Sequence, residues 1–232
     1  MRQLCYDDPV PTHSKRGKFI TFEGLDGSGK STQLEKLAEA LRAEGFTVVV
    51  TREPGGTPLA EKIRGILLDS ATRSLAPMAE LTLMFAARAQ HIREVIEPAL
   101  AAGKLVLCDR FTDSTEAYQG GGRELGSKIV LELHRLVCGD LQPDVTILMD
   151  SDVAASVARA RRRNQASESA DNKNSDENRF ERESRAFFTR VRDAYLAIAR
   201  REPRRVALVD ARGTIAETHE RVMQAVRKKL KG

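Results

Sequence analysis

Residues 24–31 read Gly24-Leu25-Asp26-Gly27-Ser28-Gly29-Lys30-Ser31 and satisfy G-x-x-x-x-G-K-[ST] at every fixed position. The spacing has a chemical purpose. Glycines let the backbone fold round phosphate oxygens with its N–H groups turned inward, and the helix that follows presents the positive end of its dipole. In such a cradle the lysine, here Lys30, reaches the β- and γ-phosphates, and the hydroxyl of Ser31 goes to Mg²⁺. Thr32 continues the same turn. Context decides whether the motif is more than a glycine-rich turn: a strand must precede it and a helix must follow. The apolar run at 19–22 and the one-faced series Leu34, Leu37, Ala38, Leu41 meet both demands. The cradle implies a bound nucleoside triphosphate with Mg²⁺. It leaves the phosphate acceptor open, because switches, motors and small-molecule kinases share it.

Three more clusters follow predicted strands, where the ligand residues of a parallel sheet gather. Arg52-Glu53-Pro54-Gly55-Gly56-Thr57 predicts a tight loop with accessible N–H groups beside an arginine. Asp109-Arg110-Phe111 offers a carboxylate for Mg²⁺ and a guanidinium for a bidentate grip on phosphate. Taken alone, the same pair also reads as a local ion pair at a strand end. Tyr118-Gln119-Gly120-Gly121-Gly122-Arg123 carries three consecutive glycines, which predicts a loop pressed against a ligand or a sharp turn.

The elements that must position these residues follow from periodicity. Short β-branched-rich runs at 19–22, 47–50, 105–108, 145–149 and 206–209 predict five strands covered on both faces. Between them lie helical patterns, including a long one over 79–100 and others carrying Ile129, Leu133 and Leu136 or Ile215, Val222 and Val226. Strand–helix alternation with this cradle predicts a three-layer α/β fold of the P-loop NTPase type, a five-stranded parallel sheet flanked by helices. Residues 1–17 are polar, hold two prolines and show no period, so they read as a disordered leader before a single domain over 18–232. Residues 164–178 have no apolar period either. They lie between Arg-bearing helical patterns at 153–163 and 179–200, which predicts a mobile lid over about 159–179, whereas 166–177 alone, which hold no Arg, read as a neutral surface-loop insertion.

The charge supports the same division. The 232 residues hold 38 Lys and Arg against 33 Asp and Glu, a net charge of +5. Residues 159–205 alone hold fourteen basic and eight acidic residues, so this stretch carries the whole excess. Such a run is either a solvated helical face or a polyanion site, for nucleic acid or for nucleotide phosphates, and charge alone does not choose between them; the arginines around 200–205 read as solvated surface. Nucleic acid is disfavoured, because aromatic content is 5% with no Trp and the basic excess is one segment. A guanine-reading Asn-Lys-x-Asp is absent, which disfavours a GTPase switch. No apolar run reaches the roughly 18–20 residues of a membrane span. Three scattered cysteines make no disulfide framework or metal set and fit a reducing cytoplasm.

The clusters in this order resemble the thymidylate kinase family, from Gly17 to about the C-terminus. The likeness rests on Phe22-Glu23-Gly24 through Thr32, Thr51-Arg52-Glu53-Pro54-Gly55-Gly56-Thr57, Met84-Phe85-Ala86-Ala87-Arg88-Ala89-Gln90-His91, Cys108-Asp109-Arg110-Phe111, Ala117-Tyr118-Gln119-Gly120 and Arg179-Phe180-Glu181. The resemblance implies transfer of the ATP γ-phosphoryl to dTMP, in a homodimer. It implies that Phe85 stacks on thymine, Arg88 hydrogen-bonds the base and Gln119 lies beside the nucleotide. Tyr118 would crowd C2′ and disfavour a ribose hydroxyl, and Asp26 would read the 3′-hydroxyl. Asp109 matches the acid on the Mg²⁺ side and Arg110 the arginine on the dTMP phosphate. Arg52, Pro54, Thr115 and Glu181 fall on the substrate side. Many members carry an arginine where this chain has Ser28. Those without it tend to supply arginines from the lid, an arrangement that Arg159, Arg161, Arg163 and Arg179 fit. A phosphate acceptor is already an oxyanion near neutral pH and needs no general base.

Overall fold

A computed structural model describes residues 16–69, 75–168, 179–180 and 183–230. Five parallel strands, β1 (Phe19–Glu23), β2 (Val48–Arg52), β3 (Leu105–Asp109), β4 (Val145–Asp150) and β5 (Val206–Asp210), lie in the order β2-β3-β1-β4-β5. This is the expected α/β architecture. The register pairs Phe22 with Asp109 and Glu23 with Leu148, so the strand ends that bear the motifs finish level with one another.

Alternation along each strand sorts the core. Ile20, Phe22, Leu105, Leu107, Val145, Ile147 and Met149 face α1 (Lys30–Ala43) and α9 (Ile215–Leu230). Phe19, Val106 and Cys108 face the other way, onto α3 (Pro77–His91), α4 (Glu97–Ala101) and α6 (Ser127–Cys138). Full burial of each such aromatic or aliphatic side chain contributes about 1.5–3 kcal/mol. On that second face β1 presents Thr21 and Glu23, both fully buried, and a polar seam runs under the site. Thr21 Oγ1 meets Thr146 Oγ1 at 2.9 Å, and Thr146 donates to Asp113 Oδ2 at 3.3 Å.

The structure departs from the expectations in six places. Helix α2 (Pro58–Leu68) was not anticipated. Its start was legible, since Thr57 accepts from the Ala60 N–H at 3.1 Å and Pro58 fills the first turn. The helix expected over 79–100 is interrupted by a π-helical turn, Ile92–Ile96, where the Glu97 N–H reaches Ile92 O. Pro98 follows immediately, and a proline offers no N–H to continue the α-helical ladder.

The three glycines at 120–122 form no loop. They end a π-helical segment, Glu116–Gly122, that follows α5 (Thr112–Thr115). Their purpose is close approach to α8 (Arg185–Arg201): a Cβ on Gly121 would meet Ala194 Cβ at 2.7 Å, and one on Gly122 would meet the Phe187 ring at 2.5 Å.

Nor are all the arginines around 200–205 solvated surface. Arg201 pairs through both terminal nitrogens with buried Glu116 at 2.7 Å, and Arg205 grips buried Asp113 at 2.6 and 2.8 Å. These forks fasten α5 and the π-helical segment to the end of α8 and the start of β5; breaking the largely buried Arg205–Asp113 pair costs about 3–5 kcal/mol, and the half-exposed Arg201 contributes less.

Arg16 and Gly17, expected within the leader, are fixed. The Gly17 N–H bonds Leu100 O at 2.8 Å, and Arg16 reaches Asp144 at 3.1 Å. The rest of the expected leader, 1–15, lies outside the described residues. Helix α7 (Val153–Glu168) continues into the segment expected to be irregular, and 169–178 lies outside the described residues.

Candidate active site

The cradle forms because its backbone enters conformations that glycine tolerates. Gly29 caps α1 at φ 93°, and Gly24 sits at φ 130° with Met149 O only 2.5 Å from where a Cβ would stand. Lys30 is folded back into this loop, its ammonium donating to Leu25 O at 2.9 Å. Burial first, then the Arg110 charge, pushes the Lys30 amine down to about 8, against the pull of Asp26 and Asp109.

Ser31 Oγ donates to Asp109 Oδ2 at 3.0 Å, joining the first turn of α1 to the end of β3. Asp109 Oδ1 is buried and has no hydrogen-bond partner. A hydroxyl and a carboxylate with an unused oxygen supply the hard oxygen donors that Mg²⁺ takes, so these residues fit that ion.

Arg110 is the hub between cradle and acceptor side. It holds a left-handed backbone, φ 72°, fixed by its N–H on Phe22 O at 2.9 Å. Its guanidinium donates to Asp26 Oδ1 at 2.8 Å, Ser114 Oγ at 2.9 Å, Tyr195 Oη at 3.1 Å and Tyr118 Oη at 3.2 Å. Tyr118 in turn donates to Asp26 Oδ2 at 3.2 Å. Burial opposes the Arg110 charge, but Asp26 and its neighbours more than restore it. Beneath, Glu23 accepts from the Phe111 N–H at 2.8 Å, from Ser114 Oγ and from Tyr195 Oη at 3.3 Å. Burial and the facing Asp113 carboxylate push Glu23 up to about 8.

Five segments line a cleft of about 410 Å³, within the range of small-ligand sites. The cradle gives Asp26, Gly27, Gly29, Lys30, Ser31 and Thr32, and the end of β3 gives Asp109 with Arg110 next to it. The end of β2 gives Arg52 with Glu53 next to it, and the helices α2 and α7 give Arg64 and Arg159. Leu25 and Ser28 are buried behind the loop.

Other expected residues stand away from this cleft. Phe85 is 2% exposed and packs in the core of the second sheet face, with the Arg88 guanidinium 4.8 Å from its ring centre. Arg88 bonds Thr115 Oγ1 at 2.8 Å, and Pro54 O accepts from Arg64 at 3.0 Å. Gln119 donates to Glu80 Oε1 at 2.7 Å. Arg179 is held by Glu80 Oε2 at 2.5 Å and Leu67 O at 2.6 Å and does not line the cleft. The side chain of Arg163 and the whole of Glu181 fall outside the described part of the chain.

Sequence reasoning missed several contributors. Arg64 rides on the unanticipated α2. Glu23 is an acid closing an apolar strand, a signal that was available. Glu80, Ser114 and Tyr195 gave none, because each acts through a partner distant in sequence.

Comparison with known proteins gives one consistent result. The family model described as Thymidylate kinase matches residues 22–222. A protein of Pelobacter propionicus named thymidylate kinase is 49% identical over 90% of this chain and 94% of its own length. One of Pseudomonas syringae pv. syringae, with the same name, is 51% identical over 87% and 90%. The crystal structure of thymidylate kinase from Ehrlichia chaffeensis superposes with a TM-score of 0.71 at 35% identity, covering 91% of this chain and 99% of that one.

Proposed function

The chain belongs to the thymidylate kinase family, an ATP-dependent nucleoside monophosphate kinase acting on dTMP, and on that premise we propose how its residues carry the transfer. The observation that supports the scheme is the convergence of Lys30, Asp109 and Arg110 on one cleft, with Asp26 and Tyr118 tied to Arg110. Residues 24–32 hold the ATP phosphates through backbone N–H groups, and Lys30 neutralises the β- and γ-phosphates. Ser31 and Asp109 would hold Mg²⁺, which when bound would supply neutralisation of phosphate charge. Arg110 holds the 5′-phosphate of dTMP in line, Asp26 reads the 3′-hydroxyl, and Tyr118 closes the space beside C2′. Phe85, Arg88, Thr115 and Gln119 serve the base, with Arg52, Pro54 and Glu181 around the acceptor. Catalysis is alignment and charge neutralisation, with the acceptor already deprotonated.

We extend the scheme to a kinase unit over 18–232, with a lid over about 159–179 that brings arginines onto the transferring phosphoryl. Among the described side chains of that set, Arg159 on α7 is the one lining the cleft. Replacing Arg159 by Ala is expected to lower kcat about tenfold or more while moving either KM far less, as for a group used mainly in the transition state. Equal changes in kcat and both KM values would remove that role. The enzyme is read as cytoplasmic and homodimeric. Among the described residues no helix is long and apolar enough to cross a membrane.

A coupled assay with ATP, Mg²⁺ and a panel of nucleoside monophosphates tests the acceptor. dTMP is expected to give the highest kcat/KM. Higher efficiency with another monophosphate would return the site to the wider class of P-loop nucleotide kinases.

A further inference from the structure

Arg88 is buried, its side chain 3% exposed, and its nitrogens are used unequally. Nε donates to Glu53 Oε2 at 2.7 Å and Nη2 donates to Thr115 Oγ1 at 2.8 Å. Nη1 is buried with no hydrogen-bond partner. Leaving a charged donor unpaired in the interior is expensive, so an orphan of this kind marks a place for an acceptor that arrives from outside.

What fixes the guanidinium is a chain of polar contacts absent from the scheme above. The second oxygen of Glu53, Oε1, accepts from His91 Nδ1 at 2.8 Å. A carboxylate offers no proton, so the ring donates from Nδ1. His91 Nε2 then meets Thr51 Oγ1 at 2.6 Å. Burial alone would raise the Glu53 carboxyl, but Arg88 and then His91 hold it below its ordinary range, so it stays an anion facing the guanidinium. The chain is also clamped sterically. A Cβ on Gly56 would stand 2.6 Å from the His91 ring and 2.7 Å from Thr51 Oγ1, so the Pro54-Gly55-Gly56 loop is pressed onto it. Arg88 and His91 lie three apart on α3, while Thr51 and Glu53 flank the end of β2. The relay therefore ties helix to sheet edge at the residue that needs one fixed orientation.

We propose that Thr51, His91 and Glu53 are positioning residues that lock Arg88 with Nη1 as its one unpartnered nitrogen, and so sharpen the discrimination that Arg88, as base contact, makes between a pyrimidine bearing a 4-keto oxygen and one bearing a 4-amino group. The proposal rests on the reading of Arg88 as the residue that contacts the base. A guanidinium nitrogen can only donate; it satisfies a carbonyl oxygen and is left facing another donor by an amino group. A rigid Arg88 enforces that difference, whereas a loose one moves aside.

The test uses the full-length enzyme and follows dTMP and dCMP as acceptors, with KM for ATP measured in parallel. Glu53→Gln is expected to raise the dTMP KM about tenfold or more, the scale of a lost charge-assisted hydrogen bond. It should leave the ATP KM within about twofold and narrow the dTMP/dCMP efficiency ratio. His91→Leu should act in the same direction, and His91→Asn, which keeps a donor near Nδ1, should recover much of the loss. In an Arg88→Ala background Glu53→Gln should add nothing, because its target is gone. Thr51→Val removes only the far end of the chain and carries the test if Glu53→Gln folds poorly; it should narrow the same ratio at unchanged Tm. Independent, additive losses from Glu53→Gln and Arg88→Ala would overturn the proposal, as would an equal rise in the ATP KM. If Arg88→Ala itself leaves the dTMP KM and the ratio unchanged, the reading of Arg88 as base contact fails, and the relay with it.

Discussion

Replacing Lys30 by Ala is expected to lower kcat roughly a thousandfold, the scale on which a preorganised cation at a transferring phosphoryl group acts. The geometry explains why nothing else substitutes. Lys30 is 5% exposed and tethered to Leu25 O at 2.9 Å, so its ammonium is fixed within the cradle. Arg110, the cation whose charge already bears on Lys30, is tied to Asp26, Ser114, Tyr195 and Tyr118 and is assigned to the acceptor phosphate. The same burial carries a stability cost. In the folded protein Lys30 titrates near 8, below its ordinary 10.5. Between those values the unfolded chain binds more protons, so stability rises with pH across the window, and the full cost is present below about pH 8. Lys30→Met, which keeps the stem and loses the charge, should therefore raise stability at pH 7 by roughly 1–3 kcal/mol, or several degrees in Tm, while abolishing transfer. That advantage should shrink as the melts move towards pH 10. A Lys30→Ala enzyme within tenfold of the parent kcat would remove the cradle assignment. A Lys30→Met protein that melts lower than the parent at pH 7 would show that the ammonium stabilises the free fold.

The parts of this molecule that were legible in sequence are those fixed by local pattern. Five β-branched runs and their helical spacers specify a parallel sheet, and Gly24 to Ser31 specify a phosphate cradle, because period and turn chemistry act within a few residues. Gly120 to Gly122 show the limit. Three glycines predict a loop when only backbone freedom is considered, yet here they let Phe187 and Ala194 of α8 come close, a reason about seventy residues away in sequence. Arg201 and Arg205 show the same limit for charge. A run of arginines reads as solvated until Glu116 and Asp113, buried on another element, are seen to need them. Phe85 is a third case. Helical spacing puts it on one face with Arg88 and leaves both a core and a base-stacking role open, and packing adds that the guanidinium lies against the rings of Phe85 and Phe111. Residues whose partners are distant in sequence are silent to periodicity, and Glu80, Ser114 and Tyr195 all belong to that class.

Arg110 gives the second large effect, and it separates a side-chain role from a backbone one. Its φ of 72° is a conformation that a residue with a Cβ holds at a cost of about 1–3 kcal/mol. The strain persists because the surroundings over-determine it: the Arg110 N–H is taken by Phe22 O, the next N–H by Glu23, and the guanidinium by four oxygens. Removing the guanidinium should raise the dTMP KM about a hundredfold, roughly what a lost bidentate ion pair to phosphate is worth. It should also lower kcat, since the acceptor is no longer held in line. Ala and Gly at this position lose the same guanidinium but differ in the backbone. Arg110→Gly should match Arg110→Ala in KM and kcat while exceeding it in stability by about 1 kcal/mol, because only alanine retains the strained Cβ. Equal stability of the two variants would mean the left-handed turn is not strained. An Arg110→Ala enzyme with an unaltered dTMP KM would place the acceptor phosphate elsewhere in the cleft, with Arg52 and Arg64 as the remaining cations on that side. The pair of variants therefore distinguishes two explanations of the same conformation: a residue forced into it by the fold, or a residue held there so that one guanidinium can meet Asp26 and a phosphate at once.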